Sequence, residues 1–561
     1  MRASNSYHNL FFILLIVLHL IPIWAFTYFP SEDGPSHVNN ANVLREYYHP
    51  DRTIFREYYV LNRQLGPNWL SHIVMAGLMS VVPALIAEKM LLSGYIILLP
   101  LSIRYVCSTI RPGSEFLAFL AFPFIYNFPF HKGFYNFSYS VPIGFFVIGY
   151  WLKYQERFAL REAVTLGFLS LVLYFCHIVS LGMAYIAIAL LGIWLTAFDL
   201  RHQLRERRCN YQTLWKISRT RLLIPFCVLL PTLFLAALSP LERSMVEFGT
   251  VSFLDSFKEF LNSSSLVSLE PRIVWLTRAC TILFALLCAV FLIPKIVHRR
   301  LHLWDGLLLV VIVYVVMYFI TSEGEFFLQS RLRLYPFLML IPWFAAQSLD
   351  IKLTKIMKPI QGISVGMALI LLSIFTTKYA ELNNYLREYL SGVHLIESNA
   401  TLLPLAFSYT GHAEDGRALS SKVGPFHFAA GYIAAQRRIV TFDNYEANTS
   451  FFPVMFRPEV NPFHHIMDFL RRPLAWTWKG GGDFLTYPYR TGGRVDYVLV
   501  WGLLDEQRQH ELTQFLFYQL EQGYELIYTS PQRGLMQLYR RKDWKATVDY
   551  DSMDLSGDVP S

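Results

Sequence analysis

Charge is scarce in this chain. Only 16% of its 561 residues are charged, where a globular domain carries about a quarter. Cysteine is scarce too: Cys107, Cys176, Cys209, Cys227, Cys280 and Cys288, with none in residues 289–561. No spaced Cys/His pattern for zinc and no disulfide framework emerges from them. There is no Walker motif, no G-x-G-x-x-G after a strand and no zincin helix, which excludes soluble nucleotide chemistry. The net charge of +8 is no sign of nucleic acid, because much of the excess sits in short loops between apolar runs. No small-residue cleavage site follows the single Arg of residues 1–9, so Leu10–Tyr28 is expected to be a retained span.

Apolar residues are abundant, at 54%, and they cluster. The runs are Leu10–Tyr28, Trp69–Leu85, Met90–Cys107, Phe116–Phe130, Tyr139–Leu152, Val164–Cys176, Ile178–Phe198, Leu222–Leu238, Trp275–Ile293, Trp304–Ile320, Leu334–Ala346 and Ile360–Thr376. Many approach the ~20 residues that cross a hydrocarbon core. The expectation is an all-α polytopic membrane protein with about 11–13 spans over residues 1–377. Basic loops at Arg201–Arg221, Lys295–Arg300 and Lys352–Lys358 belong on the cytoplasmic side. With the N-terminus inside, the first loop (residues 30–68) is outside. Counting every run as a crossing then puts the Arg201 loop on the wrong side. One of Trp69–Leu85, Phe116–Phe130 or the stretch Val164–Phe198 must therefore not cross as written.

Beyond Thr376 the composition shifts toward Gly, Pro and charge. Tyr497–Trp501 predicts a buried strand and Asp505–Gln522 a helix ending at Gly523. Tyr524–Tyr528 and Leu535–Tyr539 predict two strands joined by the turn Ser530–Gly534. Residues 378–548 are thus expected to form an extracytoplasmic α/β domain, and 549–561 a disordered tail.

Four clusters could carry chemistry. The first is Ser31-Glu32-Asp33-Gly34-Pro35-Ser36-His37, just past the first span. Gly34 and Pro35 make a turn, and Ser36–Tyr48 can follow as a helix along the membrane surface, with His37 and Asn40 one turn apart. Asp33 is a candidate general base or metal ligand assisted by Glu32 and His37. The plain alternative is a solvated helix cap. The second is the aromatic stretch Asn127–Phe137 holding His131 and Lys132, either of which could meet a phosphate. The alternative is an interfacial aromatic belt with a snorkelling lysine. The third is His177, alone among apolar residues, for which a hydrogen bond inside the bundle is the simpler reading. The fourth is Ser322–Arg333. Arg331 and Arg333 enter a span from outside, against the positive-inside bias, so they are candidates to bind an anionic phosphate bidentately. Pairing with Glu323 or Glu325 is the alternative.

Together these residues resemble the GT-C superfamily of polytopic glycosyltransferases, most closely its poorly characterised bacterial branch. The resemblance rests on Glu32-Asp33-Gly34-Pro35-Ser36-His37 in the first loop, Pro67-Asn68-Trp69 leading to Ala87-Glu88-Lys89-Met90, and Gly133–Phe137 before a span. His177, Arg331 and Arg333, and the ending Gly534–Arg541 complete it. The family often shows Asp-Glu or Asp-Asp in the first loop, whereas this chain has Glu-Asp.

The resemblance implies transfer of a sugar, with inversion, from a polyprenyl-phosphate donor to a lipid, glycan or protein acceptor at the outer face. Asp33 would be the base, and Arg331, Arg333, Lys132 and His131 would stabilise the leaving phosphate. Glu32 and Asp33 would hold any divalent metal (Mg or Mn). The implied location is a bacterial inner membrane with the C-terminal domain in the periplasm or outside, in contact with membrane lipids. Two other classes compete: a transporter or flippase of lipid-linked glycans, which wants inverted repeats and polar groups at mid-membrane, and a non-catalytic scaffold in envelope assembly.

Overall fold

The structure is a computed structural model that describes residues 2–205, 211–239, 252–298, 302–321, 327–347, 351–466 and 483–543. It is mostly helical, with a five-stranded sheet near the C-terminus. The tail 549–561 and Glu323 and Glu325 lie outside the described residues.

Among the described residues, seven helices are long and apolar enough to cross a membrane: Tyr7–Ala25, Ala84–Ile110, Ile178–Arg205, Trp215–Leu238, Pro271–Val297, Leu303–Ile320 and Met357–Leu395. Many of their large side chains point outward. Phe226 and Phe234 are 56% and 64% exposed, and Ile282 and Leu286 are 59% and 60% exposed. Surfaces this apolar need a hydrocarbon solvent, and helices satisfy their own backbone there.

Seven is fewer than the 11–13 spans expected. Four further segments, too short or too polar to qualify, pack alongside them. They are the 3-10 run Glu115–Phe124 and the helices Tyr135–Tyr154, Leu160–Cys176 and Leu334–Ala346. Each runs between the same two faces of the bundle. One face is marked by Lys89 bonded to the Phe26 carbonyl, Asn383 to the Tyr28 carbonyl, His131 to Tyr379 and the Asn68 amide to the Cys176 carbonyl. The opposite face is marked by Arg104 on Asn9, Arg111 on the Gln347 carbonyl, Arg221 on Asp199 and Lys295 on Asp305.

Trp69–Leu85 is not one continuous helix. It holds only the ten-residue helix Leu70–Met79 before Pro83 turns the chain into Ala84–Ile110. Its first residue bonds the Phe175 carbonyl and its continuation bonds Phe26, so both ends stay on one face. With that run removed, the front half closes. Arg201, Arg205, Lys216, Arg219 and Lys295 fall on the face opposite the first loop.

The last long helix, Ile351–Tyr389, continues unbroken past residue 377. Beyond it lie β2 (Thr401–Ala406), β3 (Val440–Thr441), β5 (Tyr497–Trp501), β6 (Tyr524–Thr529) and β7 (Met536–Arg541), in sheet order β3-β2-β5-β7-β6. β2 is parallel to β3 and β5, and β7 is antiparallel to β5 and β6. The strands expected at Tyr497, Tyr524 and Leu535 are present. The helix expected over Asp505–Gln522 is two pieces, Asp505–Arg508 and Glu511–Gly523, because His510 caps the second by accepting the Leu512 amide.

Two contacts join this sheet domain to the first loop. β1 (Tyr59–Leu61) pairs antiparallel with β4 (Val454–Phe456). The helix Gly34–Glu46 was expected on the membrane surface. It is instead buried beneath the C-terminal residues, with Asn39, Asn40 and Val38 fully covered. A buried asparagine needs polar partners, and the C-terminal domain supplies those of Asn40 through Asn444 and Glu446.

Candidate functional site

The site forms where the first loop passes between Lys132 and the C-terminal domain. Two glycines permit this. Gly133 has φ +92, and a Cβ there would meet the Gly34 and Asp33 amides at 2.5 and 2.7 Å. A Cβ on Gly431, on the other side, would meet the Pro35 carbonyl at 2.3 Å. With both side chains missing, the Glu32 and Asp33 amides donate to the carbonyls of His131 and Lys132, at 3.2 and 2.9 Å.

Glu32 and Asp33 are 7% and 4% exposed, so neither belongs to a solvated cap. Asp33 occupies the N-cap position of the Gly34–Glu46 helix, yet its side chain makes no capping bond. Glu32 Oε1 lies 2.5 Å from Lys132 Nζ and 3.1 Å from His427 Nδ1, and Oε2 accepts the Gly424 amide at 2.8 Å. Burial by itself would raise the Glu32 pKa. Lys132 and His427 outweigh it and hold the carboxyl well below its usual range. Asp33 goes the other way. Burial pushes it up to about 8, with Lys132 pulling it down and the Glu32 charge adding to the rise. The Tyr445 hydroxyl donates to it. Two neighbouring carboxyls thus share one lysine, and their proton affinities are driven apart.

One turn along the helix, His37 departs from expectation. It does not assist Asp33. His37 Nδ1 lies 3.0 Å from His72 Nε2 and 3.2 Å from Glu446 Oε1, and His72 Nε2 lies 2.9 Å from Glu446 Oε2. His37 is 3% exposed, and His72 and Glu446 are fully buried. Burial drops the His37 pKa to about 4, so the ring is neutral at pH 7. Asn40 donates to Glu446 Oε2 at 2.6 Å, and Asn444 exchanges amide bonds with Asn40. The metal-compatible group of this region is therefore His37, His72 and Glu446. Asp33 and Glu32 do not form it: Glu32 is already taken up by Lys132 and His427.

The expected phosphate-binding residues separate into distinct roles. Lys132 serves Glu32 and also sits 4.9 Å over the Phe327 ring. Phe327 contacts Phe134 at 5.6 Å, and the Arg331 guanidinium lies 4.3 Å over Phe134 and 5.6 Å from Phe137. Aromatic contacts therefore connect Arg331 to the acid loop. Arg333 is committed to Glu259 at 2.8 Å and to the Tyr318 face. Glu259 in turn holds Lys422, two residues before the Gly424 amide that reaches Glu32.

His131 is a structural tie. Its Nε2 meets the Tyr379 hydroxyl at 2.6 Å and its Nδ1 meets Ser268 Oγ at 2.9 Å. His177 sits at the break between two helices. Its Nδ1 accepts the Val179 amide, and its ring stands edge-on to Phe137, close enough to feel the Arg331 charge.

Sequence reasoning missed most of the lid: Gly424, His427, Tyr432, Tyr445 and Glu446. It also missed His72, which the apolar run Trp69–Leu85 concealed, and gave no role to Glu88, which accepts from Tyr135 at 2.6 Å and Tyr432 at 3.0 Å. The signal available for the lid was Asp443-Asn444-Tyr445-Glu446, a polar run within the Gly-, Pro- and charge-rich C-terminal stretch. No protein-family model matches the chain, and no curated protein is significantly similar to it.

Proposed function

We propose that the protein is a membrane glycosyltransferase that moves a sugar from a polyprenyl-phosphate donor to an acceptor hydroxyl at the face bearing the first loop. The observation that carries this reading is the pairing of Glu32 and Asp33 with Lys132 under the C-terminal domain, with Arg331 connected to Lys132 through Phe327 and Phe134. Asp33 takes the proton of the acceptor hydroxyl, and its raised proton affinity suits a group that must gain and lose a proton near neutral pH. The acceptor oxygen bonds to the anomeric carbon from the side opposite the phosphate. The bond from that carbon to the phosphate oxygen breaks, and polyprenyl phosphate leaves with the electron pair. Lys132 and Arg331 supply positive charge for it.

The basic ends Arg201, Arg219 and Lys295 lie on the opposite face, which supports an outward-facing site and a periplasmic or external C-terminal domain under the positive-inside rule. Because Asp33 is 4% exposed, substrate entry requires the segment from Gly424 to Glu446 to lift.

The test is transfer from a radiolabelled polyprenyl-phosphate sugar by the purified protein. Asp33→Asn is expected to lower the rate by about 10²–10⁴-fold, the usual worth of a general base, with an unchanged melting temperature. A fully active Asp33→Asn protein ends the proposal.

A further inference from the structure

We infer that His37, His72 and Glu446 bind a divalent transition-metal ion of the zinc class. The inference does not rest on sugar transfer, since ion uptake is read without activity; the Glu446 charge also adds to the rise of the Asp33 pKa.

The distances come first. His37 Nδ1 lies 3.0 Å from His72 Nε2 and 3.2 Å from Glu446 Oε1, His72 Nε2 lies 2.9 Å from the other carboxylate oxygen, Oε2, and one ligand atom from each residue falls within 4.8 Å of the others. A tetrahedral ion with bonds of about 2.0–2.1 Å to nitrogen and oxygen holds its ligand atoms about 3.3 Å apart. With the two ring nitrogens 3.0 Å apart and a Glu446 oxygen within 3.2 Å of each, the three residues are close enough to share one such ion. The fourth position is open to water or another ligand.

The protons make the stronger argument. His72 Nδ1 lies 3.2 Å from the Asn68 carbonyl, which can only accept. With the proton on Nδ1 serving that bond, Nε2 keeps a lone pair; with the proton on Nε2, the ring donates to Glu446 Oε2 at 2.9 Å. The His37 ring also bonds the Gly133 backbone carbonyl. With Nδ1 turned toward His72 and Glu446, Nε2 is the nitrogen left to donate there, so Nδ1 too carries a lone pair. In the first tautomer two imidazole lone pairs and a carboxylate face one another with no proton among them. That arrangement repels itself unless a cation sits inside it.

Glu446 gives an independent sign. It is fully buried, and its Oε1 receives no hydrogen bond although His37 Nδ1 is 3.2 Å away. Asn40 already fixes the other oxygen at 2.6 Å. Outer bonds that set the tautomer of each histidine and orient the carboxylate are what metal ligands require. Two imidazoles and one carboxylate suit zinc, cobalt or nickel and not magnesium or calcium, which prefer oxygen throughout. The ligands come from the Gly34–Glu46 helix, the Leu70–Met79 helix and the C-terminal domain, so the ion ties the lid to the membrane domain.

The test uses the full-length protein in detergent, stripped of metal by a chelator and titrated with Co²⁺. Wild type is expected to take up one equivalent, with visible absorption bands of nitrogen and oxygen ligation and a higher melting temperature. His72→Ala and Glu446→Gln are expected to bind about 100-fold more weakly or not at all. His394→Ala, an exposed histidine elsewhere, should bind as wild type does. His72→Cys keeps a ligand and should add a sulfur-to-cobalt charge-transfer band in the near ultraviolet, which holds the test even if His72→Ala fails to fold. Absence of stoichiometric uptake by wild type overturns the inference. So does unchanged uptake in His72→Ala and Glu446→Gln, or a His72→Cys protein that is folded, binds cobalt and lacks the new band.

Discussion

Two buried carboxylate sites sit one helical turn apart and solve the same problem differently. Glu32 has its countercharge in the chain: Lys132 reaches it at 2.5 Å, and His427 and the Gly424 amide complete the shell. Glu446 faces two imidazoles and an asparagine, none of which carries a fixed charge. A carboxylate taken out of water needs a cation or a proton. The first site is therefore complete as sequence, whereas the second calls for something the sequence does not encode.

The largest effect that separates them is expected from Lys132→Met. It leaves Glu32 buried without its partner and should destabilise the closed protein by about 3–5 kcal/mol, seen as a lower melting temperature. Adding Glu32→Gln should restore most of the loss, because no unpaired charge then remains. If Lys132→Met melts like wild type, the ion pair does not hold the lid.

Tyr445→Phe comes next. It removes the hydroxyl that donates to Asp33, a bond to a charged group worth about 1.5–3 kcal/mol. It should push the Asp33 pKa higher still and move the rising limb of the pH–rate profile toward alkaline pH. An unmoved profile would separate Tyr445 from the function of Asp33.

Acid offers a third way to break the first site. The Glu32 carboxyl is depressed in the fold, so its stabilisation is complete above the ordinary carboxylate range near 4.5 and is lost as pH falls toward about 2. Limited proteolysis of the C-terminal domain should therefore accelerate over that interval in wild type. The double variant Glu32→Gln/Lys132→Met should lack this component. Equal acid sensitivity in both would locate the effect elsewhere.

Arg331→Lys should be the mildest change. It keeps the charge but gives up the planar stacking on Phe134 and Phe137, worth about 1 kcal/mol, or close to a fivefold loss in the affinity for a phosphate-bearing lipid. Binding unchanged in Arg331→Ala would remove Arg331 from the site.

The sequence made the membrane helices legible because hydropathy is a property of consecutive residues. The strand at Tyr497–Trp501 was legible for the same reason: all five of its residues are apolar and all are buried. Asp33 could be singled out because two acids directly after a span have no anchoring purpose. The arrangement around them was hidden. Glu446 reaches His37 across more than four hundred residues, and His72 lay in a run whose apolar average suggested a span. Arg331 and Arg333 looked equivalent. Their separation follows from Glu259, a residue on a different helix that pairs with one of them only. Pairings between distant segments leave no periodic trace in the chain, and the short 3-10 run at Glu115–Phe124 falls below any window that averages over ~20 residues.

The narrow passage between Gly133 and Gly431 has a consequence for biogenesis. Ribosomes deliver the acid loop some four hundred residues before the segment that seals it. Until Gly431 arrives, the enclosure of Glu32, Asp33 and His37 consists of the Lys132 pair, the His131 and Lys132 carbonyls and the His72 ring. Closure is thus a late post-insertion event, and a ribosome stalled before residue 424 would leave a fully threaded bundle with an unroofed, protease-accessible loop.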